Sequence, residues 1–306
     1  MNSPPDARSR DGSDAAPRLH TIFILVDGLG MGVADPAVNP IHEGACPCLE
    51  SLMARHAVPI DAGLGVPGIP QSATGQTTML TGVNAQQEMG RHVEGFPGPR
   101  LKAIIRRQNI YGLLRERGAS ATFANAYFVH ELDDVRRRRV QSVTTVAALS
   151  AFRKVRDRAA MERNEAVYQD ITRASLRERG YEGSLVTPEE AAGHLAGIAA
   201  EHDFTLFEYF QTDRAGHKGD PGEIAAVLSL LDRFVAGVLP RVREAGWLFV
   251  LTSDHGNIED SRVRSHTDNP VPFVAVGARA EFLLGSVHSL LDVTPAIVGL
   301  YRELPC

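Results

Sequence analysis

The chain of 306 residues predicts a three-layer α/β/α sandwich built on a mostly parallel sheet. Two observations carry that reading. Thr21 to Val26 (TIFILV) and Trp247 to Leu251 are continuous apolar runs, the pattern of strands buried on both faces, and Phe204 to Phe210 reads as a further buried strand. Helical stretches separate them, and strands that alternate with helices return parallel to one another.

The elements follow in order. Met1 to Pro17 carries Ser, Asp, Pro and Arg without an apolar segment, so a flexible tail is expected over 1–17 and a single domain over 18–306. After the first strand, Cys48 to His56 reads as a short helix and Pro59 to Pro70 as a Gly/Pro-rich connection. Gln71 to Gly82 (QSATGQTTMLTG) reads as a loop entering a helix, and Asn84 to Arg100 as a loop of basic character. Leu101 to Arg117 is expected as one amphipathic helix ended by Gly118, followed by a strand over Ala121 to Tyr127. Val129 to Ser184 is charged and helical in pattern, and is expected as a small insertion over the core. Thr187 to Glu190 (TPEE) opens a helix as a capping box. Pro221 to Ala245 is a long amphipathic helix, Val271 to Gly277 a strand and Ser289 to Arg302 the closing helix.

Composition narrows the function. With 32 Lys plus Arg against 37 Asp plus Glu, the formal charge is −5, which speaks against nucleic acid as a partner. No run approaches the ~18 apolar residues of a membrane span. Cys46, Cys48 and Cys306 form no paired framework or zinc knuckle, so they are expected as small side chains in a reducing, cytoplasmic compartment.

The chemistry gathers at strand ends. Asp254, His255 and His266 follow the Trp247 to Leu251 run, and a carboxylate next to an imidazole suits zinc or manganese and tolerates magnesium. Asp27 follows the first strand, ahead of Gly28, Gly30 and Gly32; a turn aspartate is the plainer reading of it alone, and GLGMG does not fit a dinucleotide fingerprint. Asp213 and His217 share a DxxxH spacing that one helical turn would place on one face. Ser72 stands where helix amides and a metal would acidify its hydroxyl, or where a serine merely caps a helix. Parallel strands gather their ends on one edge. The groups then divide into two ligand sets: Asp213, His217 and His266 for one divalent ion, and Asp27, Asp254 and His255, with Ser72 bridging toward substrate, for the other.

In these segments, VDG at Asp27, QSATGQ at Ser72, TDRAGH at Asp213 and His217, SDHGN at Asp254 and His255, and SHTDNPVPF at His266, the chain resembles the alkaline phosphatase superfamily. Within it the resemblance is to the cofactor-independent phosphoglycerate mutase branch, over roughly Thr21 to Gly82 and Thr187 to Tyr301. The resemblance implies an alkaline-phosphatase-like fold, Ser72 as the residue that becomes phosphorylated, and the other six residues as metal ligands. It also implies a small phosphorylated substrate, with Arg91, His92 and Asn257 as the candidates to contact it. Such mutases carry a large arginine-rich inserted domain, and the interval here is far shorter. A two-metal phosphoester hydrolase is therefore the expectation, with a phosphomutase or a non-catalytic metal-binding protein as alternatives. Glu208 lies at the offset where alkaline phosphatases place an acidic ligand of a third ion. The sequence shows no threonine partner for it, so a structural strand carboxylate is expected there.

Overall fold

The computed structural model describes residues 18–129 and 131–301. The expected tail over 1–17, Arg302 and Cys306 lie outside the described residues; the closing helix, expected over Ser289 to Arg302, runs Leu290–Val298 and ends at Gly299.

Among the described residues, eight strands form two sheets. The main sheet holds β1 (Thr21–Val26), β2 (Ala57–Ile60), β3 (Ala121–Phe123), β6 (Phe204–Tyr209), β7 (Leu248–Ser253) and β8 (Val271–Gly277) in the order β2-β8-β7-β1-β6-β3. β7, β1, β6 and β3 run parallel, and β8 pairs antiparallel with both β7 and β2. β8 is thus the one reversed strand of this sheet, a detail that an apolar run cannot encode. A second, two-stranded sheet pairs β4 (Asn125–Ala126) with β5 (Val167–Tyr168).

The apolar run of β1 is explained by its two faces. Ile22, Ile24 and Val26 enter a core with Leu195, Leu228 and Phe234 from the helices Pro188–Ala200 and Pro221–Ala245. Phe23 and Leu25 enter the opposite core with Met79, Leu114, Val146 and Ile297. Successive strand residues face opposite ways, so a strand between two helical layers must be apolar throughout. Thr187 caps its helix as predicted, with Glu190 completing the capping box.

Four more expectations change. Ala57–Ile60 is an edge strand, where Pro59 is tolerated, so the Gly/Pro-rich connection begins later. The helix expected over Leu101 to Arg117 is two, Pro99–Arg107 and Ile110–Glu116, because the Asn109 side chain accepts from the Gly112 amide and starts a new helix. The strand expected over Ala121 to Tyr127 switches sheets after Phe123. Within the expected insertion, Val143–Phe152 packs Val143, Val146, Ala147 and Ala148 into the main core, since it is apolar on nearly all sides. The remainder forms a roof with its own small core of Met161, Tyr168, Leu176 and Tyr181. No helix among the described residues is long and apolar enough to cross a membrane.

Ile24 is fully buried at the centre of the parallel strands. Ile24→Ala is expected to lower unfolding free energy by about 3–4 kcal/mol, against about 1 kcal/mol for Thr187→Ala, measured by urea titration followed by circular dichroism.

Candidate metal centre

Strand register assembles the site. Val26 of β1 lies beside Tyr209 of β6 and Ser253 of β7. Asp27 and the Asp254–His255 pair therefore leave adjacent strands at the same edge, while β6 passes through Phe210 into the helix Gln211–Lys218. That helix places Asp213 Oδ1 3.4 Å from His217 Nε2. Ser72 is the first residue of the helix Ser72–Thr81 and does not cap it; Gln71 holds the cap position. The Ser72 hydroxyl instead lies 2.9 Å from His255 Nε2. His266 returns to the site because Thr267 pairs with Gly256 across the loop.

Two groups of ligand atoms result, each lying within 4.8 Å of one another: Asp213, His217 and His266; and Asp27, Asp213 and His255. The first is the set grouped from the sequence. In the second, Asp213 stands where the sequence grouping had Asp254, so Asp213 faces both. Asp254 is near, with Oδ2 3.7 Å from His255 Nε2.

The donor set fits divalent metal. His217, His255 and His266 each turn Nδ1 to a backbone carbonyl, of Arg264 at 2.7 Å, Gly256 at 3.2 Å and Pro70 at 3.1 Å. A carbonyl only accepts, so in the neutral rings Nδ1 carries the hydrogen and Nε2 keeps its lone pair for the site. His217 and His266 bring their Nε2 atoms within 2.9 Å, with Asp213 Oδ1 3.4 Å and 3.2 Å away. One proton satisfies only part of that triangle, whereas a cation satisfies all three lone pairs. Asp254 Oδ2 is buried with no hydrogen-bond partner and Asp27 Oδ1 has only His255 Nε2 before it, 3.1 Å away, and such carboxylate oxygens are costly without a cation.

Electrostatics agree. Burial, then the charge of Asp254, pushes the Asp27 carboxyl well above its ordinary range. Burial pulls His255 down, but the charges of Asp254 and Asp27 outweigh it and raise the imidazole to about 10. For Asp213 burial acts upward, and the hydrogen bond from His266, with the His255 and His217 imidazoles, holds it below its usual value.

Three further residues shape the site. Glu259, fully buried, accepts from the Gly30 amide at 2.9 Å, the Asn257 amide at 2.7 Å, the Asn269 side chain at 3.0 Å and the Thr267 hydroxyl. Its only signal in the sequence is its place two residues after Asn257. Gln76 donates to Asp27 Oδ2 at 3.2 Å, and its side chain also helps to hold the Glu208 carboxyl down. Glu208 does have a threonine partner, since Thr144 donates to it at 2.6 Å. The sequence could not show this, because Thr144 sits on a helix that reads as part of the insertion.

Of the candidates for substrate contact, Asn257 donates to Asp213 Oδ1 at 3.2 Å, and its Oδ1 is buried without a partner. Asn257 thus orients the Asp213 carboxylate. Arg91 is exposed and His92 bonds the Val66 carbonyl. Neither lines the cavity of about 500 Å³ above Ser72, Asp27 and Asp213; their loop reaches it through Gly95 and Phe96.

Carboxylate and imidazole ligands at the carboxyl edge of a parallel sheet, with a hydroxyl among them, define a metal-dependent α/β class with an alkaline-phosphatase-like fold. Residues 20–302 match the family described as the Metalloenzyme superfamily, and the chain belongs to it. Two solved structures share the fold: the PH0037 protein from Pyrococcus horikoshii (TM-score 0.57, 14% identity, 94% of this chain and 98% of that one) and an alkaline phosphatase from the Antarctic bacterium TAB5 (TM-score 0.56, 12% identity, 94% and 99%). Among curated proteins, a 2,3-bisphosphoglycerate-independent phosphoglycerate mutase of Cereibacter sphaeroides is 32% identical over 119 residues, covering 36% of this chain and 23% of that protein. One from Antithamnion sp. is 29% identical over 127 residues, covering 37% and 25%. The matched stretch thus spans about a quarter of the length of these relatives.

Glu208 supplies a pH test. Burial, opposed mainly by the Thr144 hydrogen bond, raises its carboxyl from 4.5 to about 7. A carboxyl raised by folding stabilises the protein fully below its unfolded value, and that contribution is lost as pH rises through the folded one. In chelator-treated protein, stability is expected to fall between about pH 4.5 and 7 by up to about 1.4 kcal/mol per pH unit. Glu208→Gln should flatten that slope in urea titrations; an unchanged slope assigns it to another group.

Proposed function

We propose that the protein is a two-metal-dependent phosphoester hydrolase acting through a phosphoserine on Ser72. The observation that carries this reading is the placement of the Ser72 hydroxyl. It lies beside His255, at the amino end of a helix, on the floor of a cavity that Asp27 and Asp213 also line.

Asp213, His217 and His266 would hold one ion, and Asp27, Asp254 and His255, with Ser72 between site and substrate, the other. Manganese or zinc suits these ligands and magnesium is tolerated. Such ions acidify a hydroxyl and offset charge on a phosphoryl group in flight. Ser72 Oγ attacks phosphorus in line, the Oγ–P bond forms as the ester P–O bond breaks, and the leaving oxygen departs as an alcohol after taking up a proton. Water entering through the cavity mouth then displaces the phosphoryl group from Ser72 and releases phosphate. The positive end of the helix Ser72–Thr81 favours the anionic group throughout. Asn257 keeps Asp213 in place through the cycle.

A phosphomutase is the second reading, favoured by the roof over residues 125–181, whose separate core can shield a phosphoserine from water, and by the names of the curated relatives. The free thiols of Cys46 and Cys48 suit a cytoplasmic setting, and the formal charge of −5 does not favour nucleic acid.

Ser72→Ala should lower release of phosphate from aryl and sugar phosphates by about a thousandfold or more while folding and metal content persist; wild-type turnover would assign the nucleophile elsewhere. With phosphoglycerate, isomer formed without free phosphate would replace the hydrolase reading by the mutase. Elemental analysis should find two metals per chain in the wild type. His217→Ala with His266→Ala should lose one of them, whereas Asp213→Ala should weaken both, since its carboxylate faces both groups.

A further inference from the structure

The cavity above Ser72 is built for more than a phosphoryl group. Its outer walls are aromatic, with Phe96, Tyr127, Phe128 and Tyr168 among the lining side chains. At its mouth Phe96 and Val140, both lining it, are 58% and 51% exposed, an apolar rim that a ligand would cover. Three arginines line the same space, Arg138, Arg179 and Arg214, and among the described residues none of them has a carboxylate partner.

The three cations divide between two ends. Arg214 follows Asp213 on the helix Gln211–Lys218 and lines the cavity from that side. Arg179 is fixed at the roof, donating to the Tyr168 hydroxyl at 3.2 Å and the Phe128 carbonyl at 3.3 Å, its guanidinium 5.0 Å from the Phe128 ring centroid. Arg138 follows the short helix Leu132–Arg136 in the same roof and lines the same cavity as Arg179. A guanidinium held by two hydrogen bonds and a ring, with donors left over, is prepared to receive an anion.

We infer that the substrate is a phosphomonoester with a planar aromatic leaving group that carries a second anionic group at its far end. The phosphate lies over Ser72, the ring lies against the aromatic wall, and the distal anion meets Arg179 and Arg138. The inference rests on the phosphoester reading of the site and adds the leaving group to it. A short aliphatic phosphate would leave the rim of Phe96 and Val140 uncovered and the far arginines without a partner.

Binding separates this inference from the hydrolase reading. Calorimetry on the full-length, manganese-loaded protein would compare para-carboxybenzylphosphonate, which cannot be hydrolysed, with benzylphosphonate. The carboxylated compound should bind about tenfold or more tightly. Arg179→Ala combined with Arg138→Ala should bring the ratio to about twofold or less, Arg179→Lys should keep part of it, and Phe96→Ala should weaken both ligands alike. The ratio of kcat/KM for para-carboxyphenyl phosphate to phenyl phosphate should fall with the double substitution in the same way. A wild-type protein without the preference, or a preference that survives the double substitution, overturns the inference. An arginine-dependent preference in binding with no turnover of either ester upholds the arginine subsite for the distal anion and removes the hydrolase reading instead.

Discussion

The centre depends on one buried carboxylate that faces away from the chemistry. Glu259 receives four donors, two from backbone amides and two from side chains, and in doing so ties the strand-end turn at Gly30 to the loop that carries Asp254, His255 and His266. Charge buried at this depth is tolerable only when hydrogen bonds replace its lost water, and here each donor comes from a segment that must be positioned. Gly30 and Gly256 make the arrangement possible, because a Cβ on either would occupy the space of the Glu259 carboxylate. The same clamp holds the Asn257 backbone, whose side-chain amide donates to Asp213, so a carboxylate on the helix Gln211–Lys218 is oriented through it as well.

Around that clamp the site is a balance of like charges. Asp27, Asp213 and Asp254 converge with three imidazoles whose outer nitrogens are already committed to carbonyls. The cost of assembling such a group is met by the sheet and two helical cores, whose apolar side chains hold the strand ends in place. Stability thus resides in the layers, and the strain of concentrated charge resides at one edge. Cation binding relieves that strain.

The roof adds a distinction within the fold. Its core of Met161, Tyr168, Leu176 and Tyr181 is separate from the two that clamp the sheet, so its side chains are free to vary without disturbing the strand ends. The strand-end edge supplies the carboxylates, the imidazoles and Ser72 on the floor of the cavity, and the roof supplies much of its wall, Phe128 and Tyr168 included. Val143–Phe152 joins the two, because it packs on the main core while Thr144 reaches Glu208 beneath the cavity and Thr145 bonds Tyr127 at its wall.

The sequence by itself determined the layers, the strand ends and the seven residues that gather there, because two periodicities and a few adjacent residue pairs carry that information locally. Asp213 and His217 were legible as one face of a turn, and Thr187 with Glu190 as a cap, for the same reason. Only the tertiary structure decided the reversed direction of β8, the sharing of Asp213 between two ligand groups, the Thr144–Glu208 bond and the exclusion of Arg91 and His92 from the cavity. Each of these depends on which segments meet across the sheet, and a contact between residues distant in the chain leaves no mark on the pattern around either one.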